Sequence, residues 1–262
     1  MYNKDIKWKS GEKRMLTQER RQKILDLVFQ DGAASVTELS EKFDASESTI
    51  RRDLAALSKL GKLKKVHGGA TALSHEFVKS EESNEEKFLK HVREKNLIAR
   101  YAAEQICDED FVFLDAGTTT YLMIDYLQGS KATFVTHGIS HCQKLSEAGC
   151  RVLVAGGEVK ASTDAVIGLT VGNVLDKYNF SKAFIGTNGV SKEHGFTTPD
   201  VNEAALKAMA VERSFASYFL ADSSKFGKVS AVTFAPIEAG WIICDRCTDR
   251  AIRESTIVKE VI

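Results

Sequence analysis

Residues 46–61, SESTIRRDLAALSKLG, decide how the N-terminal part of the chain is read. At about 100° per residue, Ile50, Leu54 and Leu57 share one face of a helix and Ser48, Arg52 and Ala55 lie opposite, with Thr49 and Arg51 flanking the polar side. Gly61 is expected to stop that helix. Paired arginines and small hydroxyls near the start of a helix, turned away from its apolar stripe, are placed to meet a partner rather than a core.

Working outward, LTQERRQKILDLVFQDG (16–32) puts Ile24, Leu25, Val28 and Phe29 on one side and stops at Asp31-Gly32, which predicts a first helix over 17–30. SVTE (35–38) is a capping box, with Ser35 as N-cap and Glu38 at the third helical position, and opens a short helix through Phe43. After the third helix, KLKKVHGGATAL (62–73) sets Leu63 and Val66 among lysines, turns at Gly68-Gly69 and returns as a strand. A helix, a tight turn, a second helix with arginines near its start and a basic hairpin predict a winged helix-turn-helix domain over 15–73 that reads double-stranded DNA. Ser46, Ser48, Thr49, Arg51 and Arg52 are the expected contacts from the helix, where arginine forks fit guanine edges or phosphates. Lys62, Lys64, Lys65, His67 and Gly68 are expected to hold backbone phosphates from the hairpin.

The charge distribution agrees. The chain is formally neutral, but residues 1–71 hold 15 Lys and Arg against 10 Asp and Glu, leaving 21 against 26 in the remainder. Residues 1–14, polar and basic without an apolar signal core, are expected to be a disordered extension, and no apolar run approaches the length that spans a bilayer, so a soluble cytoplasmic protein without a membrane partner is expected. The five cysteines are scattered; Cys244 and Cys247 form a lone CxxC after an apolar run and are read as structural, with no metal or cofactor expected.

From residue 74 to 93 the chain is highly charged and free of glycine and proline, which suggests a helical connector. Beyond it, over 94–262, the runs FVFL, ATFVT, RVLVAG, KAFIG, SYFLA, VSAVTF and WIICD alternate with helical patterns, predicting an α/β domain with a mainly parallel sheet. Ligands bind beyond the carboxyl ends of such strands. The segments there are rich in glycine, hydroxyls and amides: AGTTT, with Asp115 before it and Gly117, Thr118, Thr119 and Thr120 within it; Thr136, His137 and Gly138; Gly157; and Thr187 with Asn188. Asp115 by itself reads first as a helix-entry or turn carboxylate. Small residues with backbone N–H groups and hydroxyls at a helix start suit an anion. Lys207, Arg213 and Lys225 are the nearest cations in sequence, with Lys225 the preferred phosphate partner.

The run STIRRDLAALSKLGKLKKVHGGA resembles the signature of the DeoR family of bacterial transcriptional regulators over residues 15–73. DAGTTT, VTH where VTN is commoner, AGGEV, AFIGTNGV, GFTTPD with EAALKAMA, and LADSSKFG resemble that family's sensor domain. The resemblance implies a sensor fold similar to ribose-phosphate isomerase and the acyl-CoA transferases, with GTTT as the phosphate cradle. It also implies a phosphorylated-sugar effector, of the fructose 1-phosphate or tagatose 6-phosphate type in the phosphotransferase-linked branch. Isomerases of that fold carry acids after the fourth strand. Here the loop reads IGTNG, Asn188 is no base, and only Glu203 and Lys207 match the region of an enzyme carboxylate. A DNA-binding repressor of a sugar operon, without catalytic residues, is therefore expected, the alternative being an isomerase-like enzyme with an N-terminal appendage. Two-fold operators favour a homodimer or homotetramer.

Overall fold

The computed structural model describes residues 16–60, 62–72, 76–78, 80 and 82–262. Gly61, the expected helix stop, and the expected 1–14 extension lie outside the described residues. The chain divides into two compact units, residues 1–74 and 75–262.

In the first unit, helices Thr17–Asp31, Val36–Lys42 and Glu47–Lys59 close on a three-stranded antiparallel sheet of Ala33–Ser35, Gly69–Thr71 and Lys64–Val66. The capping box forms as read: Ser35 Oγ accepts from Glu38 N at 3.2 Å and Glu38 Oε2 accepts from Ser35 N at 2.8 Å. Ile24, Leu25, Val28, Leu39, Ile50, Leu54, Leu57, Leu63 and Ala70 make the core. Two apolar assignments need correction. Phe29, at the margin of the first helix's stripe, is 49% exposed, and Val66 is turned outward on its strand while Leu63 is buried. Ala33–Ser35, which ends in the capping residue, is a strand whose tight fit requires glycine at 69, where a Cβ would stand 2.3 Å from the Ala34 carbonyl oxygen.

In the second unit, seven parallel strands run in the order Val258–Glu260, Trp241–Cys244, Ser214–Leu220, Phe180–Gly186, Phe111–Leu114, Thr133–Thr136, Arg151–Val154. Side chains alternate between the faces of this sheet. Val112, Leu114, Phe134 and Phe184 pack with helices Val92–Ala103, Thr118–Met123 and Ile139–Glu147. Phe113, Val135, Ala183 and Ile185 pack with Leu169–Leu175, Val201–Glu212 and Arg250–Ser255. Chain order reverses between Phe111–Leu114 and Phe180–Gly186, so the crevice beyond those two carboxyl ends is where an open sheet of this kind takes a ligand.

VSAVTF was expected beside the parallel strands. It instead supplies Val232–Ala235 to a separate antiparallel sheet with Gly189–Ser191 and Gly195–Thr198, because an apolar run does not specify which edge it pairs with. Residues 74–93 are likewise no single helix. Glu76–Phe77 pairs in parallel with Lys228–Val229, and helix Asn84–Phe88 follows, its Asn84 side chain donating to the Thr163 carbonyl. These backbone and side-chain bonds make the described part of the segment a piece of the second unit.

Candidate functional site

The first unit presents its polar residues as a surface. Ser46, Ser48, Arg51, Arg52, Lys62, Lys64, Lys65, His67 and Gly68 are exposed and Thr49 is half-buried. Ser46 caps the third helix, its Oγ accepting from Thr49 N at 3.3 Å and lying 2.9 Å from the Thr49 hydroxyl. Arg51 leans on Glu47 at 2.7 Å, an exposed pair that costs little to open. Gly68, at φ +85°, makes the turn between the basic strand Lys64–Val66 and strand Gly69–Thr71. A feature the sequence reading missed lies beneath: Asp53, buried in the middle of this helix, accepts from Arg20 Nε and Arg21 Nε, each at 2.8 Å, and so ties the third helix to the first.

In the second unit, a cleft at the switch point encloses about 620 Å³, part of it open to solvent. Ten of the expected effector residues line it: Asp115, Gly117, Thr118, Thr119, His137, Thr187, Asn188, Glu203, Lys207 and Lys225. The crevice is laced across the reversal of strand order. Asp115 Oδ2 accepts from Gly186 N at 2.9 Å and from Lys207 Nζ at 2.5 Å, and Lys207 also donates to the Gly186 carbonyl at 3.0 Å. Burial works to raise the Asp115 carboxyl, but the Lys207 ammonium, the adjacent His137 and the backbone donor together hold it below its ordinary range. His137 Nε2 stands 3.7 Å from Asp115, its ring stacks on Phe113, and burial pushes its pKa down against the opposing pull of Asp115.

Four expected residues lie outside the cleft lining, each for a local reason. Thr120 is a capping residue: its Oγ1 accepts from Gly117 N at 3.0 Å and donates to the Asp115 carbonyl at 2.6 Å. Thr136, fully buried, accepts from Gly138 N at 3.1 Å. Gly138 makes room for His141, whose Nδ1 would stand 2.5 Å from a Cβ there. Gly157 passes against the Ile167 carbonyl, 2.7 Å from a would-be Cβ, and opens the hairpin Glu158–Lys160/Ala165–Ile167. Arg213 sits at the amino end of its strand, paired with Asp176, away from the cleft. The helix that starts at Thr118, within GTTT, is only six residues long, so the hydroxyls of Thr118 and Thr119 and the lysines, rather than a helix dipole, are what the cleft offers an anion.

The structure adds Asn84, Lys87, Lys95, Thr163 and Asp222 to the lining. Glu203, at the third position of helix Val201–Glu212, accepts from Lys160 Nζ at 2.9 Å and Thr163 Oγ1 at 2.8 Å. Of the three cleft carboxylates, Asp115 and Glu203 are each neutralised by a lysine, an arrangement that orients side chains and weakens proton abstraction. The CxxC cysteines are buried in the core, and burial pushes both thiols up, away from thiolate chemistry.

A family model described as the DeoR-like helix-turn-helix domain matches residues 20–76, and one described as the DeoR C terminal sensor domain matches residues 90–246. The chain is 43% identical over 251 residues, 94% of its length and 99% of the relative's, to the uncharacterized HTH-type transcriptional regulator FruR of Bacillus subtilis. It is 35% identical over 238 residues, 90% of its length and 94% of the relative's, to the lactose phosphotransferase system repressor of Streptococcus mutans. Among solved structures, ribose 5-phosphate isomerase A of Methanocaldococcus jannaschii is similar over 50% of this chain and 53% of that one, at 15% identity and a TM-score of 0.38, a likeness too partial to bear on substrate or chemistry.

Proposed function

This chain belongs to the DeoR family of transcriptional regulators, and we propose that it represses a sugar-utilisation operon and loses operator affinity when a phosphorylated sugar occupies the cleft of its second unit. Helix Glu47–Lys59 enters the major groove, with Arg51 and Arg52 reading base edges or phosphates, while Lys62, Lys64, Lys65 and His67 hold the backbone. In the cleft, Thr118, Thr119 and Lys225 bind the phosphate, and Thr187 and Asn188 meet sugar hydroxyls. Operators with two-fold symmetry require a homodimer or homotetramer. The relative named as a lactose phosphotransferase system repressor supports a phosphotransferase-linked sugar as the signal, and the effector is of the fructose 1-phosphate or tagatose 6-phosphate type on this reading.

One observation carries this reading over the enzymatic one: Asp115 and Glu203 are each already paired with a lysine, while Lys225 lines the same cleft with Asp222 no nearer than 3.9 Å. Such a site binds an anion without turning it over. Binding is linked reciprocally to operator affinity, so effector weakens DNA binding and DNA weakens effector binding by the same factor. The test is a thermal-shift panel of sugar phosphates followed by a gel shift on the promoter nearest the gene, with and without the stabilising compound. A specific shift that is lost in Arg51→Ala with Arg52→Ala, and relieved by one sugar phosphate, is the expected result. A retained specific shift in that double variant refutes the recognition helix, and turnover of the sugar phosphate, lost in Glu203→Ala, refutes the sensor reading.

A further inference from the structure

We propose that Lys95 is the second cation of the phosphate-binding end of the cleft, acting with Lys225 to select a phosphate monoester over a neutral sugar; the inference rests on the reading of the cleft as an effector site. Lys95 lies on the buried face of helix Val92–Ala103, three and four residues before Ile98 and Ala99, and is only 4% exposed while still lining the cleft. Its Nζ donates to a neutral acceptor, the Lys87 carbonyl, and among the described residues no carboxylate stands within ion-pair distance of it. Two other buried cleft charges are closely matched, Lys207 by Asp115 at 2.5 Å and Glu203 by Lys160 at 2.9 Å. Lys225 reaches Asp222 only at 3.9 Å, and Asp222 Oδ1 is already accepting from Ser224 N at 3.0 Å.

A buried ammonium with one carbonyl partner keeps two N–H donors without acceptors and has acids only at a distance, which is costly unless something else supplies both acceptors and a counter-charge in contact. The deficit is local. Lys87, Lys95 and Lys225 line the same end of the cleft, and Asp222 and Glu82 are the acids acting on Lys95 there. Burial, with Lys225 and Lys87 adding repulsion, pushes the Lys95 ammonium down to about 8 despite those two acids. A phosphate monoester dianion brings the missing charge and several acceptor oxygens at once. Sugar hydroxyls bring no charge, so a neutral sugar leaves the deficit in place.

The test titrates the full-length protein with fructose 1-phosphate, tagatose 6-phosphate and fructose by calorimetry, in the unaltered chain and in Lys95→Met and Lys95→Arg. The expected result is sugar-phosphate binding that weakens roughly 10- to 100-fold in Lys95→Met, by loss of a charge-assisted contact, and is largely kept in Lys95→Arg. Ligand-free Lys95→Met should melt no lower than the unaltered protein, since an uncompensated buried charge has been removed. Binding within threefold of the unaltered protein in Lys95→Met overturns the assignment of Lys95 and leaves the effector reading standing. If the unaltered protein binds neither sugar phosphate, both fall. Should Lys95→Met not fold, proton uptake decides on the unaltered chain. At pH 8.5, heats of sugar-phosphate binding must differ between buffers of different ionisation enthalpy, and equal heats overturn the proposal.

Discussion

Replacing Asp53 with alanine tests what holds helix Glu47–Lys59 in place. The carboxylate is 3% exposed and accepts from Arg20 and Arg21 at 2.8 Å each, with those side chains 12% and 34% exposed. Removing one partner of a buried ion pair strands the other charge, at a cost of about 3–5 kcal/mol. Arg21 is exposed enough to recover hydration and Arg20 is not, which places the loss near the lower end, about 3 kcal/mol. Amide hydrogen exchange on helix Glu47–Lys59, followed on the full-length protein by mass spectrometry, converts that loss into exchange about 100-fold faster, at one factor of ten per 1.4 kcal/mol. Operator affinity falls as well, although Asp53 faces the core, because a smaller fraction of molecules holds the helix ready. The triple substitution Asp53→Leu, Arg20→Met and Arg21→Met replaces the charges with apolar groups and restores protection. Unchanged exchange in Asp53→Ala would refute the argument, since the clasp would then not be what orders the helix.

Two further outcomes follow from the second unit. Thr119→Ala combined with Lys225→Ala raises the sugar-phosphate concentration needed for operator release by about tenfold or more, for loss of a charge-assisted contact; half-release at the unaltered concentration in a gel-shift titration means the phosphate sits elsewhere. Lys95 gives a pH signature in the ligand-free protein. Its folded pKa of about 8 lies below the ordinary 10.5, so between those values the unfolded chain holds more protons and folding stability rises with pH. Lys87, Lys225, Asp222 and Glu82, which act on Lys95, are unchanged by the substitution. Lys95→Met is therefore more stable than the unaltered protein by a margin that is largest below pH 8 and shrinks toward pH 10, read as the difference in urea midpoints at pH 7 and pH 9.5. A margin independent of pH rules out Lys95 as the titrating group.

Local pattern determined most of the elements. Helix periods placed Ile24, Leu25 and Val28, then Ile50, Leu54 and Leu57, in one core, and the Ser35/Glu38 box formed because capping is a bargain between residues three apart. Strand and loop chemistry likewise brought Gly117, Thr118 and Thr119, Thr187-Asn188 and Lys225 to one cleft, because loops at the carboxyl ends of a parallel sheet converge whatever their spacing in the chain. Which strand pairs with which is settled by long-range packing. The same apolar run VSAVTF is consistent with the large sheet it does not join, and residues 76–77 and 84 bond to partners more than 70 residues away that no local period announces.

The clearest unread signal was a charge on an apolar stripe. Asp53 falls beside Ile50 and Leu54, Lys95 beside Ile98 and Ala99, and Lys207 beside Ala204 and Ala210. Helical spacing alone marks each as buried, and a buried charge demands a counterpart. The sequence by itself determined that these charges would be inside. Only the tertiary structure decided their counterparts, two arginines for Asp53, Asp115 for Lys207 and a lone carbonyl for Lys95, because each lies on another element and is set by how the elements pack.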